Sequence, residues 1–383
     1  MASASRSRNA VFNANRLKLG IFGTNSRGIA HTTVPDRYQP TWDNVLQVAQ
    51  TADRAGFEAM LAFARWKGAS DGTVYHQSGY VLDPFTWAAG LAQATRHLTV
   101  FATTHAPAMH PILAAKQSAT VDVISGGRFG LNIVGGWNRP EFDMFGQPLA
   151  DHDVRYDYLE EWLGVLERLW SSDHEFDHEG AFLKLKGALS NPHPLQLPRP
   201  PIMNAGGSGR GQRFACEHAD ICFVGMSTDP EVARKSVASY KIMAREKFGR
   251  EVAVWALAIV AQRETRQAAE DYFHDFSVEH QDKVGVDYWL ALRSTEARNL
   301  NNELINDPGL RQRVAVGGAF PLVGSAQDIA DKLQSMSDIG VDGCLLAWNN
   351  YDDGLRRFRD GVMPLLEERG LRAPFKASAA APG

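Results

Sequence analysis

Eight short apolar runs, each followed by a helix-length segment, set the strongest constraint on this chain. Leu17–Gly23, Phe57–Arg65, Leu98–Thr104, Arg128–Val134, Ile202–Ala205, Ile221–Val224, Val252–Ala261 and Gly343–Ala347 read as strands. The segments between them carry helix punctuation. Thr41 caps a helix that runs to about Ala55 and stops at Gly56. Pro84 opens one that reaches Arg96, and Pro111 opens one that reaches about Ile124. Further helices are expected at Arg155–Trp170, Gly209–His218, Pro230–Phe248, Ser325–Ile339 and Asp352–Glu368. Strands alternating with helices in this way form a parallel sheet covered by helices. Eight such units predict an α/β fold closed as a (β/α)8 TIM barrel, with an open doubly wound sheet as the competitor.

The chain has 383 residues, enough for one large barrel. We expect a disordered arm over 1–15, a single barrel domain over 16–371 and a flexible tail over 372–383. A polar, helix-prone insertion at 264–318, after the seventh strand, is expected to act as a lid or an oligomer contact. A formal charge of -4 argues against a nucleic-acid partner. No apolar run reaches the ~18 residues of a membrane span, and the N-terminus lacks a signal-peptide core, so a cytoplasmic protein is expected. Cys216, Cys222 and Cys344, without C-x-x-C spacing, read as reduced structural thiols. His174–Glu179 mixes His with carboxylates, but on a strand its ligands split between two faces, so it reads as a solvated hairpin, not a metal site.

In barrels of this kind the chemistry sits at the C-terminal ends of the strands. The stretch Ile124–Phe142 is the most informative of these ends. A Gly-Gly turn leads into an apolar strand that carries one amide, Asn132, and opens through Gly135-Gly136 onto Trp137 and Glu141. Other strand ends offer Ala64 and Arg65, then Thr103, Thr104 and His105, then Gly206, Gly207 and Ser208. The set lacks paired carboxylates, metal spacing and a nucleophile elbow. Small neutral hydrogen-bonding groups beside aromatics suit a site where a bound cofactor does the chemistry. The Gly206–Gly211 run, turning from strand into helix, fits a phosphate site but neither G-x-G-x-x-G nor a P-loop. Arg155 and Tyr156 can supply a bidentate donor and a hydroxyl to the same phosphate. Trp66, Trp87 and Trp137 are candidates for packing against a ring.

At these residues the chain resembles the bacterial luciferase-like, flavin-dependent monooxygenases. Within them it is most similar to the pyrimidine monooxygenases and the dimethyl-sulfone monooxygenases. The match runs from about Leu17 to Leu366 and is strongest at Ala102-Thr103, Ser125–Glu141, Arg155–Tyr158, Ala205–Ser208 and Leu322–Ser325. The resemblance implies a two-component enzyme. A separate NAD(P)H-dependent flavin reductase supplies reduced flavin mononucleotide (FMN, as FMNH2). With O2 this forms a flavin peroxide that oxygenates a small N-heterocycle, sulfone, sulfonate or related compound. The absence of a nicotinamide fingerprint points the same way. A homodimer or homotetramer is implied. So are FMN contacts at Ala64, Arg65, Asn132, Glu141, Arg155, Tyr156, Gly207 and Ser208, with Thr103 and Asn132 beside flavin N5 as neutral donors to the oxygen species.

His105 and Met109 replace the small or apolar residues of the pyrimidine enzymes, and the 66–80 loop differs, which argues against uracil itself. His105 is then a candidate substrate donor or proton shuttle. The alternatives are a deazaflavin-dependent oxidoreductase of the same superfamily, a non-catalytic flavin-binding barrel and a metal- or carboxylate-dependent barrel hydrolase. Only the last predicts carboxylates converging at strand ends, where Glu141 stands alone.

Overall fold

The computed structural model describes residues 9–69, 76–147, 149–297 and 305–376. Its strands are β1 (Lys18–Phe22), β2 (Ala59–Leu61), β3 (Thr99–His105), β4 (Phe129–Val134), the hairpin pair β5 (Phe176–Glu179) and β6 (Lys184–Ala188), β7 (Ile202–Asn204), β8 (Ile221–Val224), β9 (Ala253–Gln262), β10 (Phe320–Gly324) and β11 (Gly343–Ala347). Eight of them close a parallel barrel in the order β1-β2-β3-β4-β7-β8-β9-β11, and β11 returns to β1. The (β/α)8 expectation holds, and the open sheet does not.

Alternate residues explain why these runs read as continuously apolar. Leu61, Phe101, Met203, Ile221, Trp255 and Leu345 point inward and fill the barrel. Their neighbours, among them Met60, Val100, Leu131 and Cys344, face the helices in a second apolar layer. Large rings inside need small partners. A Cβ on Gly130 would lie 2.3 Å from the Phe101 ring, and one on Gly343 2.5 Å from Trp255.

β10 is a strand that the sequence hides, because Pro321 and Gly324 interrupt a five-residue run. Ala258 and Ile259 of β9 pair with β10 and also with β11. The two must therefore flank β9 on opposite sides, so β10 continues beyond the end of β8, whose pairing stops at Ala256. The ten-residue β9 is the element that lets the insertion rejoin the barrel at its upper rim.

Helix α1 (Trp42–Arg54) is capped by Thr41, α2 (Pro84–Ala94) by Asp83, and α3 (Pro111–Ser125) ends at Gly126 with φ 68°. A short α4 (Arg139–Met144), absent from the sequence reading, precedes α5 (His152–Ser171), which begins three residues before the expected Arg155. Then follow α6 (Gly209–His218) and α7 (Pro230–Phe248). The 264–318 region holds α8 (Arg266–His274), α9 (Lys283–Ala297) and α10 (Pro308–Ala315). α9 and α10 share a small core of Val286, Trp289, Leu290, Val314 and Ala315. After β10 come α11 (Ala326–Asp338), α12 (Tyr351–Arg357) and α13 (Met363–Glu368).

Both chain ends differ from expectation where they are described. Asn9–Asn15 is not a loose arm: Val11 enters the barrel interior, and Asn9 Oδ1 accepts from Thr99 Oγ1 at 2.5 Å. Arg372, expected in the tail, is buried, with its guanidinium 2.6 Å from Glu58 and donating to the Leu17 and Gly56 carbonyls. The reason is shared: the bottom of a barrel is an open apolar end that some segment must cover. Residues 1–8 and 377–383 lie outside the described residues. Among the described residues no helix is long and apolar enough to cross a membrane.

Candidate active site

The C-terminal ends of β1, β3, β4, β7, β8 and β9 open onto a cavity of about 530 Å³. All ten site residues expected from sequence line it: Ala64, Arg65, Thr103, His105, Asn132, Glu141, Arg155, Tyr156, Gly207 and Ser208. Strand parity accounts for the barrel residues among them. Thr103 and His105 share the inward side of β3, and Asn132 is the register partner of Thr103 on β4. The turn after β3 removes Met109 from the site: it packs in the helix layer, where its sulfur accepts from Thr104 Oγ1 at 3.3 Å. Of the two departures from the pyrimidine enzymes, only His105 faces the cavity.

One end of the cavity is a turn built for an anion. Ser208 caps α6 by accepting from Gly211 N at 3.0 Å. Asn204 Oδ1 accepts from Gly206 N at 2.8 Å and its Nδ2 donates to Ile133 O at 2.6 Å, so both ends of this strand-end amide help to shape the turn. A Cβ on Gly206 would sit 2.2 Å from Gly211 O, and one on Gly211 2.3 Å from Tyr156 Oη. Only glycine permits that approach. Arg155 donates to Gly136 O, while its buried Nε has no protein acceptor. Burial pushes the Tyr156 phenol upward, so it stays protonated and can donate. His152, 2.8 Å from Ser208 Oγ, was missed by sequence reasoning. Its spacing of three and four from Arg155 and Tyr156 places all three on one helix face.

In the middle of the cavity Thr103 Oγ1 donates to Ala62 O at 2.6 Å and accepts from Asn132 Nδ2 at 2.9 Å. Both residues are about 5% exposed, and Asn132 Oδ1 has no partner. The Thr103 proton is already committed to a carbonyl, whereas Asn132 offers a free acceptor at Oδ1 and has a second N–H beyond the one given to Thr103.

The rim carries the charge. The Arg65 guanidinium lies 4.9 Å from the Phe63 ring and 4.7 Å from Trp289. Burial draws it down to about 10, so it remains a cation at neutral pH. Burial also draws His31 down to about 3, with Arg65 adding to the effect. Trp289, Val314 and Gly317 bring the 264–318 region into the cavity wall, and Trp137 lies 5.5 Å from Trp289. Sequence did not single out Trp289, because nothing local ties α9 to the barrel mouth. Of the other candidate rings, Trp87 is buried in the core. Trp66 packs edge-on against Phe145. The described part of the 66–80 loop braces the rim instead of lining it, through Ser78 O near Arg65 at 3.4 Å. His178 is held by Glu161 at 3.0 Å within the β5–β6 hairpin, and the three cysteines are buried thiols.

The family model of the luciferase-like monooxygenases matches residues 18–343. The chain belongs to that family. As a luciferase-like enzyme it is a flavin-dependent monooxygenase. Pyrimidine monooxygenase RutA of Klebsiella pneumoniae (strain 342) is 31% identical over 369 residues, covering 94% of this chain and 98% of its own. RutA of Escherichia coli O139:H28 is 30% identical over 367 residues, covering 92% and 90%. Among solved structures, the long-chain alkane monooxygenase LadA superposes with a TM-score of 0.82 at 23% identity, covering 95% and 94%. DmoA from Hyphomicrobium sulfonivorans gives 0.78 at 24% identity, covering 94% and 90%. These likenesses carry the luciferase-like barrel fold.

Proposed function

We propose that this luciferase-like monooxygenase takes reduced FMN from a separate NAD(P)H-dependent flavin reductase and uses O2 to oxygenate a small organic compound, an N-heterocycle, sulfone, sulfonate or a related molecule. The observation that carries the reading is one cavity where residues from six strands, the loops after them and α5 meet, with a glycine-rich turn at one side and a neutral polar centre. The groups present fit the cofactor. Gly206 and Gly211 leave backbone exposed where a side chain would collide, and the α6 N-terminus, Ser208, Arg155 and Tyr156 supply donors to a phosphate dianion. Ala64, Arg65 and Glu141 would then hold the ring, with Thr103, Asn132 and His105 as the polar groups of the same cavity available to it. Bound reduced flavin supplies the two electrons that turn one oxygen atom of O2 into water while the other enters the substrate. The protein's part is to orient the ring and keep the centre dry. Trp289 and Trp137 roof the mouth, which supports the 264–318 insertion as a lid on the barrel.

Two proteins similar in fold, the riboflavin lyase RcaE with a modified FMN and 3,6-diketocamphane monooxygenase with FMN, hold such a cofactor. The substrate range rests on the relatives named above, and in this reading the enzyme acts as a homodimer or homotetramer in the cytoplasm. The test is anaerobic titration with reduced FMN, followed by oxygen uptake with NADH and a generic flavin reductase over a substrate panel. Quenching with FMN and substrate-dependent oxygen use are expected. Binding of a deazaflavin in preference to FMN, or of no flavin at all, would falsify the reading.

A further inference from the structure

We propose that the substrate is a small organic acid whose carboxylate pairs with the Arg65 guanidinium beneath Trp289. This rests on the flavin reading above and narrows its substrate range to molecules that carry a negative charge. Arg65 lies just past the end of β2, and its planar group packs against two rings, Phe63 from the same loop and Trp289 from α9. Its donors are almost unused. Among the described residues its one hydrogen bond is the 3.4 Å contact of Nη1 with Ser78 O. Glu141 is the acid that acts on it most, but it is not in contact. One Glu141 oxygen is taken by Trp66 N and Lys67 N, and the other turns toward His105. The remaining Arg65 nitrogens are not sealed off. Arg155 Nε and Arg37 Nε are buried without partners, whereas no Arg65 nitrogen is. They keep surface open to the cavity that Arg65 lines.

Arg65 is also the one charged donor of its neighbourhood. His31 and His105 line the same cavity, and burial keeps both imidazoles neutral at pH 7. Arg155, the other arginine of the wall, goes with the Gly206–Ser208 turn in the flavin reading. A cation held away from bulk water with no carboxylate against it is costly, and a ligand's charge relieves that cost. Guanidinium N–H groups share one plane, so the planar edge of a carboxylate can accept from two of them at once. A neutral heterocycle or a sulfone leaves the charge uncompensated. The contact with Trp289 puts the guanidinium at the roof, where a molecule entering over a seated flavin arrives. Arg65 thus serves as a specificity-determining residue as well as part of the wall.

Calorimetric titration of the full-length protein loaded with oxidised FMN tests this without turnover. The probes are nicotinate and benzoate, each against its uncharged amide, nicotinamide and benzamide. The wild type is expected to bind the acids at least tenfold tighter than the amides, the range for a charge-assisted hydrogen bond. Arg65→Met should bring acid and amide within about threefold of each other while FMN affinity changes by no more than that. Arg65→Lys should keep part of the preference. Amides that bind as well as acids, acids that do not bind, or a preference retained in Arg65→Met each overturn the proposal. If Arg65→Met instead loses FMN and keeps the acid preference, the guanidinium belongs to the flavin and the proposal falls. A wild type that binds no FMN but still prefers the acids overturns the flavin reading alone. If Arg65→Met does not fold, the wild-type ratio and Arg65→Lys decide.

Discussion

His105 Nδ1 stands 3.6 Å from Glu141 Oε2, while the other Glu141 oxygen accepts from Trp66 N at 2.9 Å and Lys67 N at 3.1 Å. The carboxylate is thus a brace for the loop that leaves Arg65, and only secondarily a neighbour of the histidine. Burial holds the His105 imidazole below its ordinary range; Glu141 draws it back up and Arg65 presses it down. It sits at the cavity wall as a neutral ring. Glu141→Ala strands two backbone donors, each worth about 1–3 kcal/mol when left unpaired. A fall of that order is expected in urea unfolding, together with weaker flavin binding. An unchanged midpoint would mean that water replaces the brace.

In the proposed reading Arg155 supplies a cation to the phosphate at the Gly206–Ser208 turn. Arg155→Ala should weaken FMN by roughly tenfold to a hundredfold, the range for a charge-assisted hydrogen bond. Fluorescence quenching reads it directly, and an unaltered dissociation constant removes Arg155 from the phosphate site.

Thr103→Ala and Asn132→Ala act at the centre instead. Both should still bind oxidised FMN while yielding far less oxygenated product per reduced flavin consumed. Wild-type product yield in either variant contradicts its assigned place.

Trp289 joins the insertion to the cavity through the Arg65 guanidinium, 4.7 Å from its ring. Trp289→Ala opens the roof and admits water. The ratio of hydrogen peroxide released to substrate oxidised should rise several-fold, with only a small change in flavin affinity. A ratio equal to that of the wild type argues that the insertion is a surface elaboration.

His31 makes acid a threat to the fold. Its imidazole sits at about 3 when folded, against an ordinary 6.5, because of burial; Arg65, Arg37 and His76 press it down and Asp282 draws it up. The unfolded chain therefore binds the extra proton more readily. This contribution to stability is intact above about pH 6.5 and is lost as pH falls toward 3, at about 1.4 kcal/mol per pH unit. Unfolding at pH 7.5 and 5 should show a smaller difference for His31→Asn than for the wild type. Equal slopes would place the acid sensitivity elsewhere.

The strand–helix alternation was legible because the barrel strands are mostly apolar on both faces and most of the helices begin with a side-chain cap or a proline. Most of the site was legible for a related reason. Barrel chemistry is confined to strand ends, so Thr103, Asn132 and the Gly206–Ser208 turn could be located by position alone. The reading failed where a residue's partner is far away in sequence. Trp289 belongs to the site only because α9 folds back over the mouth, and Arg372 to the core only because Glu58 waits at the barrel floor, 2.6 Å away. Met109 was assigned to the substrate space because it is close to Thr103 in sequence, yet the turn after β3 carries it to the other layer.

By itself the sequence determined the barrel, which follows from local periodicity, caps and glycines, while the resemblance carried by its motifs pointed to the family and to most of the groups at the cavity. Only the tertiary structure decided what those groups present. Whether Thr103 donates outward or is already spent, and which end of the Asn132 amide turns toward it, depends on a carbonyl at Ala62, 41 residues before Thr103 along the chain. A side chain's type sets which hydrogen bonds it can make, and the fold sets which remain for a ligand.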